Sequence, residues 1–392
     1  MDTNTVAKPN FTNSNLKKGK TKLIILQATS FCNLDCSYCY LPNRDKKNKF
    51  DVNLLPILMQ RLIDDDLLAN EVTICWHVGE PLIMDHNFYR KAFEIILSSN
   101  NSPCKIRHNI QTNLTLITED HCKVFKEFEV SMGISIDGPQ FINDLNRNYR
   151  NGRSSFLQTM KGLNLIQKYG IDCSVIAVLT KEALKYPNEI FNFFLKNKIP
   201  SFGFNIDEIE GINISSTHDT NNIEEFRDFF TTIFKLTNTH SSQIQNREFT
   251  KFKNNIFFGK GEIFNTQITP LSNISVDTEG NFSTFSPELL TNSIDNYNFI
   301  LGNLHSDKFT DIYDKYEFQS IYNEIQEGVS KCRLECDFFE VCGGGSPSNK
   351  LFENGTFASS ETLNCKLMKQ TLANVVVGLV NDELSVSFTD KL

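Results

Sequence analysis

No apolar run in this 392-residue chain is long enough to span a bilayer, and residues 1–20 contain no hydrophobic signal core. These absences point to a cytoplasmic protein with no membrane partner. Positive charge is not in excess either. The formal net charge is −8, which argues against a nucleic-acid-binding surface. The local basic patch of Lys17, Lys18, Lys20 and Lys22 reads as a solvated arm. There is no internal repeat of fixed short period and no low-complexity tract. What is present is an ordinary globular composition, 40% hydrophobic and 22% charged. A chain of this length buries a sizeable core without disulfides or metals. Any metal site is therefore expected to serve function.

The cysteines are the informative residues. In a reducing compartment, eleven of them are expected to be metal ligands or buried thiols, not disulfides. Cys32, Cys36 and Cys39 fall within one short stretch, and Cys332, Cys336, Cys342 and Cys365 form a second group. Cys75, Cys104, Cys122 and Cys173 lie in or beside expected strands and helices and read as buried thiols.

From Lys22 onward, short apolar runs alternate with amphipathic stretches. Strands are expected at 23–27, 72–78, 106–111, 130–136, 174–179 and 202–206. Helices are expected at 52–68, 87–98, 119–128, 155–169 and 183–197, with Thr118 as the N-cap of the third. Six strands alternating with helices imply repeated βα units and an α/β fold with a parallel sheet. Six units are too few for a complete eight-fold barrel, so a partial (β/α)6 barrel or an open sheet fits. The pattern changes near residue 212. A helix at 223–236 precedes a polar segment at 240–253, and a hairpin is expected around Glu279-Gly280. A loop-rich module held by the second cysteine group follows, then an amphipathic stretch and a tail at 382–392. The expected division is a mobile arm (1–20), a core (21–211), a bridging region (212–272), a cysteine-rich domain (273–370) and a C-terminal helix and tail (371–392).

The first constellation, Cys32-Asn-Leu-Asp-Cys36-Ser-Tyr-Cys39, follows the first expected strand. That is the carboxyl end of a parallel strand, where α/β folds place their sites. Three thiolates at this spacing can wrap one face of a cubane. Such clusters usually take four cysteines, and the next one is Cys75, so one iron would stay open to an outside ligand. A zinc knuckle borrowing a distant ligand, or three thiols without a common role, would leave the same spacing.

Later strand ends add to this pattern. His77-Val-Gly79-Glu80-Pro81 ends the second expected strand, Gln111-Thr-Asn113 the third and Ser135-Ile-Asp137-Gly138 the fourth, followed by Asp144-Leu-Asn-Arg147. In this order the motifs resemble those of the radical SAM superfamily. The resemblance implies a [4Fe–4S] cluster on Cys32, Cys36 and Cys39 with S-adenosylmethionine (SAM) on its open iron. It places Tyr38, Gly79, Glu80, Asn113, Ser135, Asp137 and Arg147 around SAM, the arginine on its carboxylate. Val78 stands where the family pattern has glycine.

The second constellation supplies four thiols, a complete set for one closed cluster or for a zinc ribbon. The region resembles the SPASM extension of peptide-modifying radical SAM enzymes, which usually carries seven cysteines and two auxiliary clusters. Here Cys342-Gly-Gly-Gly-Ser346 and Phe285-Ser286-Pro287-Glu288 lack cysteines of that pattern. The resemblance therefore implies two [4Fe–4S] clusters in total, with the auxiliary one on Cys332, Cys336, Cys342 and Cys365. In the sulfatase-maturing branch an aspartate after the lost cysteine acts as base. Pro287 stands there in this chain, beside Glu288. Asp207, Glu208, Glu210 and Glu288 are the acidic candidates, with Glu288 preferred as catalytic base.

Tyr40-Leu-Pro-Asn-Arg44, Phe204-Asn-Ile-Asp-Glu-Ile-Glu-Gly211, Ser286-Pro-Glu-Leu-Leu290 and Cys342-Gly-Gly-Gly-Ser-Pro-Ser-Asn-Lys-Leu resemble the cyclophane-forming radical SAM/SPASM peptide maturases. That resemblance implies an oxidoreductase acting on a ribosomally made precursor peptide, with an external one-electron reductant of flavodoxin or ferredoxin type. A 5′-deoxyadenosyl radical would take hydrogen from a side-chain β-carbon, and the resulting radical would attack an aromatic ring. Hydroxylation, epimerisation or thioether formation could follow from the same radical. A zinc-binding peptide scaffold is the reading from a different class.

Overall fold

The computed structural model describes residues 19–258, 264–292, 294 and 297–389. The expected arm, apart from its last two residues, lies outside them, as do residues 390–392. Six parallel strands follow one another across the sheet: β1 (Thr21–Gln27), β2 (Leu68–His77), β3 (Lys105–Thr112), β4 (Ser131–Ser135), β5 (Cys173–Leu179) and β6 (Ser201–Ile206). β7 (Gln245–Asn246) continues in parallel beyond β6. β1 and β6 do not pair. Instead β8 (Asn273–Val276) lies parallel to β1, and β9 (Asn281–Thr284) and β10 (Gly302–Asn303) extend that edge antiparallel.

Side-chain alternation gives this sheet two different faces. Ile24, Leu26, Ile74, Trp76, Ile110, Met132 and Ile134 are buried in the apolar core. Trp76 meets Phe50, Phe88 and Tyr89 edge-on at centroid distances of 5.5, 5.3 and 5.7 Å. Such pairs add roughly 0.5–1.5 kcal/mol each beyond the area they bury. On the other face a polar row crosses the strands. The Cys75 thiol donates to Asn109, Asn109 donates to Ser131, and Gln111 donates to Ser135.

The helices return the chain between strands, and their ends follow local chemistry. Thr118 caps the helix Glu119–Glu127 by accepting the His121 N–H, as expected. The first helix, Leu54–Asp64, stops short of residue 68 because Asp66 turns the chain at φ 51° into β2. The expected helix at 183–197 is split. A short 3-10 turn, Ala183–Lys185, precedes Pro187–Lys196, since Pro187 suits a first helical position and not an interior one.

The polar segment at 240–253 holds the start of the helix Arg247–Phe258. Some expectations need correction. The cysteine-rich module is not chiefly loop: Cys332 lies in the twenty-residue helix Tyr316–Glu335. The hairpin forms where expected, but β8 joins the barrel sheet, so no sheet boundary separates core from module. The tail from 382 begins as helix, within Thr371–Thr389.

Candidate active site

The loop after β1 holds the first three cysteines. Its backbone is pinned from several sides. Cys32 N–H donates to the Arg44 carbonyl at 3.0 Å, and Arg150 donates to the Cys32 and Arg44 carbonyls. Arg44 pairs with Asp35 at 3.0 Å. Arg150 was not foreseen from sequence; nothing in its spacing sets it apart from a surface arginine. Burial pushes the Cys32 thiol up to about 12, with Glu80 adding to the shift, and the Cys36 thiol up to about 11. Such thiols become thiolates when a cation binds them, which suits ligands of an iron cluster.

The strand-end motifs converge on this loop. Tyr38 donates to Asp137 at 2.6 Å, Arg147 donates to the other Asp137 oxygen at 2.9 Å, and the guanidinium lies over the Tyr38 ring. One nitrogen of Arg147 is thus committed within the protein. Asn113 approaches Cys32 Sγ at 3.9 Å and donates to Asn33 at 2.9 Å. Ser135 receives the Gln111 amide at 2.9 Å.

Glu80 is a strut. Its carboxylate accepts from Leu82 N–H, Thr112 Oγ1 and Asn113 N–H at 2.9, 2.5 and 2.8 Å, tying the ends of β2 and β3 together. Burial raises its pKa to about 7 against those hydrogen bonds. Val78 is buried at φ 73°, a conformation that strains a β-branched residue. Gly79 follows at φ 67°; a Cβ there would stand 2.3 Å from the Thr29 carbonyl and 2.8 Å from that of Phe31. The valine thus holds the backbone form that glycine would adopt without strain.

The second cysteine group lines a cavity of about 990 Å³ together with Glu208, Glu288 and Lys350. Cys332, Cys336 and Cys342 all raise the Cys365 thiol electrostatically, after burial, to about 12. Among the described residues, no three His, Cys, Asp or Glu side chains converge closely enough for a single metal ion. Two positions that depart from the seven-cysteine pattern, Ser286 and Ser346, both bond to Ser348. Ser286 accepts from the Ser348 N–H at 3.3 Å, Ser346 and Ser348 hydroxyls meet at 3.0 Å, and Phe285 stacks on Phe318.

Three glutamates stand between the two cysteine groups. Tyr40, next to Cys39, is half-buried beside Glu288, Glu210 and Glu208, and its carbonyl accepts the Ile212 N–H at 3.1 Å. Glu208 accepts from Asn349 at 3.1 Å and from Asn364, the neighbour of Cys365, at 2.5 Å. Glu210 Oε1 and Glu288 Oε2 are buried without a hydrogen-bond partner. Burial, and then Glu288, raise Glu208 to about 7; burial also raises Glu210 and Glu288. Asp207 is not part of this group. It anchors the following loop through Ser216, Thr217 and His218.

A parallel α/β sheet with a three-cysteine loop at the end of its first strand defines the class. The Radical SAM superfamily model matches residues 26–194. The chain belongs to the radical SAM superfamily. It is 42% identical over 376 residues to an uncharacterized protein of Synechocystis, covering 94% of each chain. It is 35% identical over 170 residues to a serine-type anaerobic sulfatase-maturating enzyme of Bacteroides thetaiotaomicron, covering 42% of this chain and 40% of that one. Among solved structures, anSMEcpe with bound AdoMet superposes at a TM-score of 0.76 with 20% identity, over 92% of this chain and 98% of that one. Streptococcus suis SuiB bound to its precursor peptide SuiA superposes at 0.60 with 17% identity, over 90% and 76%. The fold is thus the radical SAM α/β fold. Among the described residues no helix is long and apolar enough to cross a membrane.

Proposed function

We propose that this enzyme modifies a ribosomally made precursor peptide by joining an aromatic ring to a side-chain β-carbon. The observation that carries the reading is the glutamate group lying between Tyr40, beside Cys39, and Asn364, beside Cys365. Cys32, Cys36 and Cys39 would hold the SAM-binding cluster, and Cys332, Cys336, Cys342 and Cys365 the closed one. When bound, the first cluster and SAM supply a 5′-deoxyadenosyl radical able to remove hydrogen from carbon. The protein's own task is positioning and proton handling.

Tyr38, Asp137 and Arg147 form one ion-paired group at the cluster loop. The remaining guanidinium nitrogens of Arg147 suit the SAM carboxylate. Gly79 brings backbone close to the loop, Glu80 fixes the strand ends, and Asn113 and Ser135 present polar groups to the same opening. Glu288 serves as base, taking the proton from the aromatic carbon once the new bond has formed and the ring radical has given up one electron, for which a cluster on Cys332, Cys336, Cys342 and Cys365 would be the acceptor. Its partnerless, buried oxygen and raised proton affinity suit that task. The peptide names of the structural neighbours, SuiA and the Cp18Cys peptide, support this substrate class.

Co-expression with a short peptide encoded beside the gene, followed by intact-mass measurement, tests the proposal. The expected product has lost two hydrogens per link. Unchanged mass would indicate epimerisation or no reaction, and added oxygen would indicate hydroxylation; either outcome overturns the crosslink. A thioether also loses two hydrogens but places the link on a cysteine sulfur, which fragmentation reveals.

A further inference from the structure

We propose that Lys350 is a positioning residue that raises the reduction potential of the cluster held by Cys332, Cys336, Cys342 and Cys365. The inference rests on the reading that these four thiols hold a [4Fe–4S] cluster.

Lys350 is 3% exposed, and its ammonium donates to Cys332 Sγ at 3.2 Å. Among the described residues, no carboxylate pairs with it. A buried ammonium needs an anionic partner, and a cluster-bound thiolate at Cys332 provides one. The side chain reaches that sulfur from the helix Pro347–Asn354, across the tight approach at Gly328. A Cβ on Gly328 would stand 3.2 Å from the ammonium and 2.1 Å from the Phe357 carbonyl, so only glycine leaves this path open. The other groups near Cys332 Sγ are the carbonyls of Ser360 and Gly344, at 3.1 and 3.8 Å, which cannot donate to a thiolate. Gln370 approaches Cys365 Sγ at 3.9 Å, a longer contact from a neutral donor.

Hydrogen bonds to cluster sulfurs and nearby net charge both set the potential. A charged N–H···S contact stabilises the more negative, reduced state, so the potential rises. That direction favours uptake of one electron by the oxidised cluster, the electron that ring closure and proton loss release from a peptide radical.

Redox titration of the full chain with Cys32, Cys36 and Cys39 changed to alanine isolates this cluster. That parent should bind about four iron. In it, Lys350→Met should shift the reduced-to-oxidised ratio about tenfold toward oxidised, a fall of about 59 mV for one electron. Lys350→Arg should stay near the parent. A full iron complement with an unmoved or higher midpoint in Lys350→Met overturns the proposal alone. A parent that binds no iron overturns the cluster reading and this proposal with it. Should Lys350→Met fail to assemble, electron–nuclear double resonance of the reduced parent carrying Gln370→Leu decides. An exchangeable proton strongly coupled to the cluster supports the hydrogen bond, and its absence overturns it.

Discussion

At the scale of single residues, the carboxylates divide by what satisfies them. Asp207, Asp137 and Glu80 are each bound by several protein donors or an arginine and hold loops in place. Glu210 and Glu288 each keep one buried oxygen without a partner. Burial favours the protonated form of Glu288, so its proton affinity is raised. A base must be ionised, so turnover is present above that raised pKa and is lost as pH falls through it. Glu288→Gln should lower the rate about 100-fold or more and abolish this acid limb, whereas Glu288→Asp should retain part of it. Single-turnover assays across pH check this; an unchanged profile in the glutamine variant would assign the base elsewhere. The sequence marks Glu288 only through its place beside the lost cysteine. The resemblance also offers Glu208 and Glu210 as acidic candidates, but it does not reveal that Tyr40 crowds the same spot, because those contacts join three distant segments.

At the scale of elements, the junction after β2 links sequence to site most closely. Val78 occupies the left-handed region, which costs roughly 1–3 kcal/mol at such a position. Val78→Gly should therefore stabilise the fold by about 1 kcal/mol or more and still load iron. Gly79→Ala must displace the Thr29 and Phe31 carbonyls, and with them the run into Cys32, so it should lose most of the first cluster's iron. Denaturant unfolding and iron per chain, measured side by side, test the pair. A destabilised Val78→Gly variant would show that the valine side chain outweighs its strain.

The strands were legible to within a few residues because period-two burial and β-branched content agree. Helices of the cysteine module were not. Glycines 343–345 and the cysteines read as loop, while Tyr316–Glu335 carries its weak apolar stripe among charged residues. Similarly, the polar surface of Arg247–Phe258 hid the apolar contacts of Phe249 and Phe252.

At the scale of the whole molecule, one sheet runs from β10 to β7, and β8 seats the cysteine module on the edge of β1. The strand that leads into Cys32 is therefore hydrogen-bonded to the strand that begins the module. This union explains how glutamates at 208, 210 and 288 meet beside Tyr40. Sequence spacing disclosed both cysteine groups but not the parallel pairing of β1 with β8, since a long-range register leaves no local periodic mark. Lys350 was likewise visible only as one residue of a glycine-rich stretch.

The proposed reaction begins with hydrogen removal from a β-carbon and ends in ring closure. The most direct test supplies the reconstituted enzyme with SAM, reductant and a precursor peptide carrying deuterium at its β-carbons. The expected products are 5′-deoxyadenosine bearing one deuterium for each link and a peptide that has lost one deuterium and one ring hydrogen. Unlabelled 5′-deoxyadenosine, or labelled 5′-deoxyadenosine with a peptide that keeps its ring hydrogen, would contradict the proposed reaction.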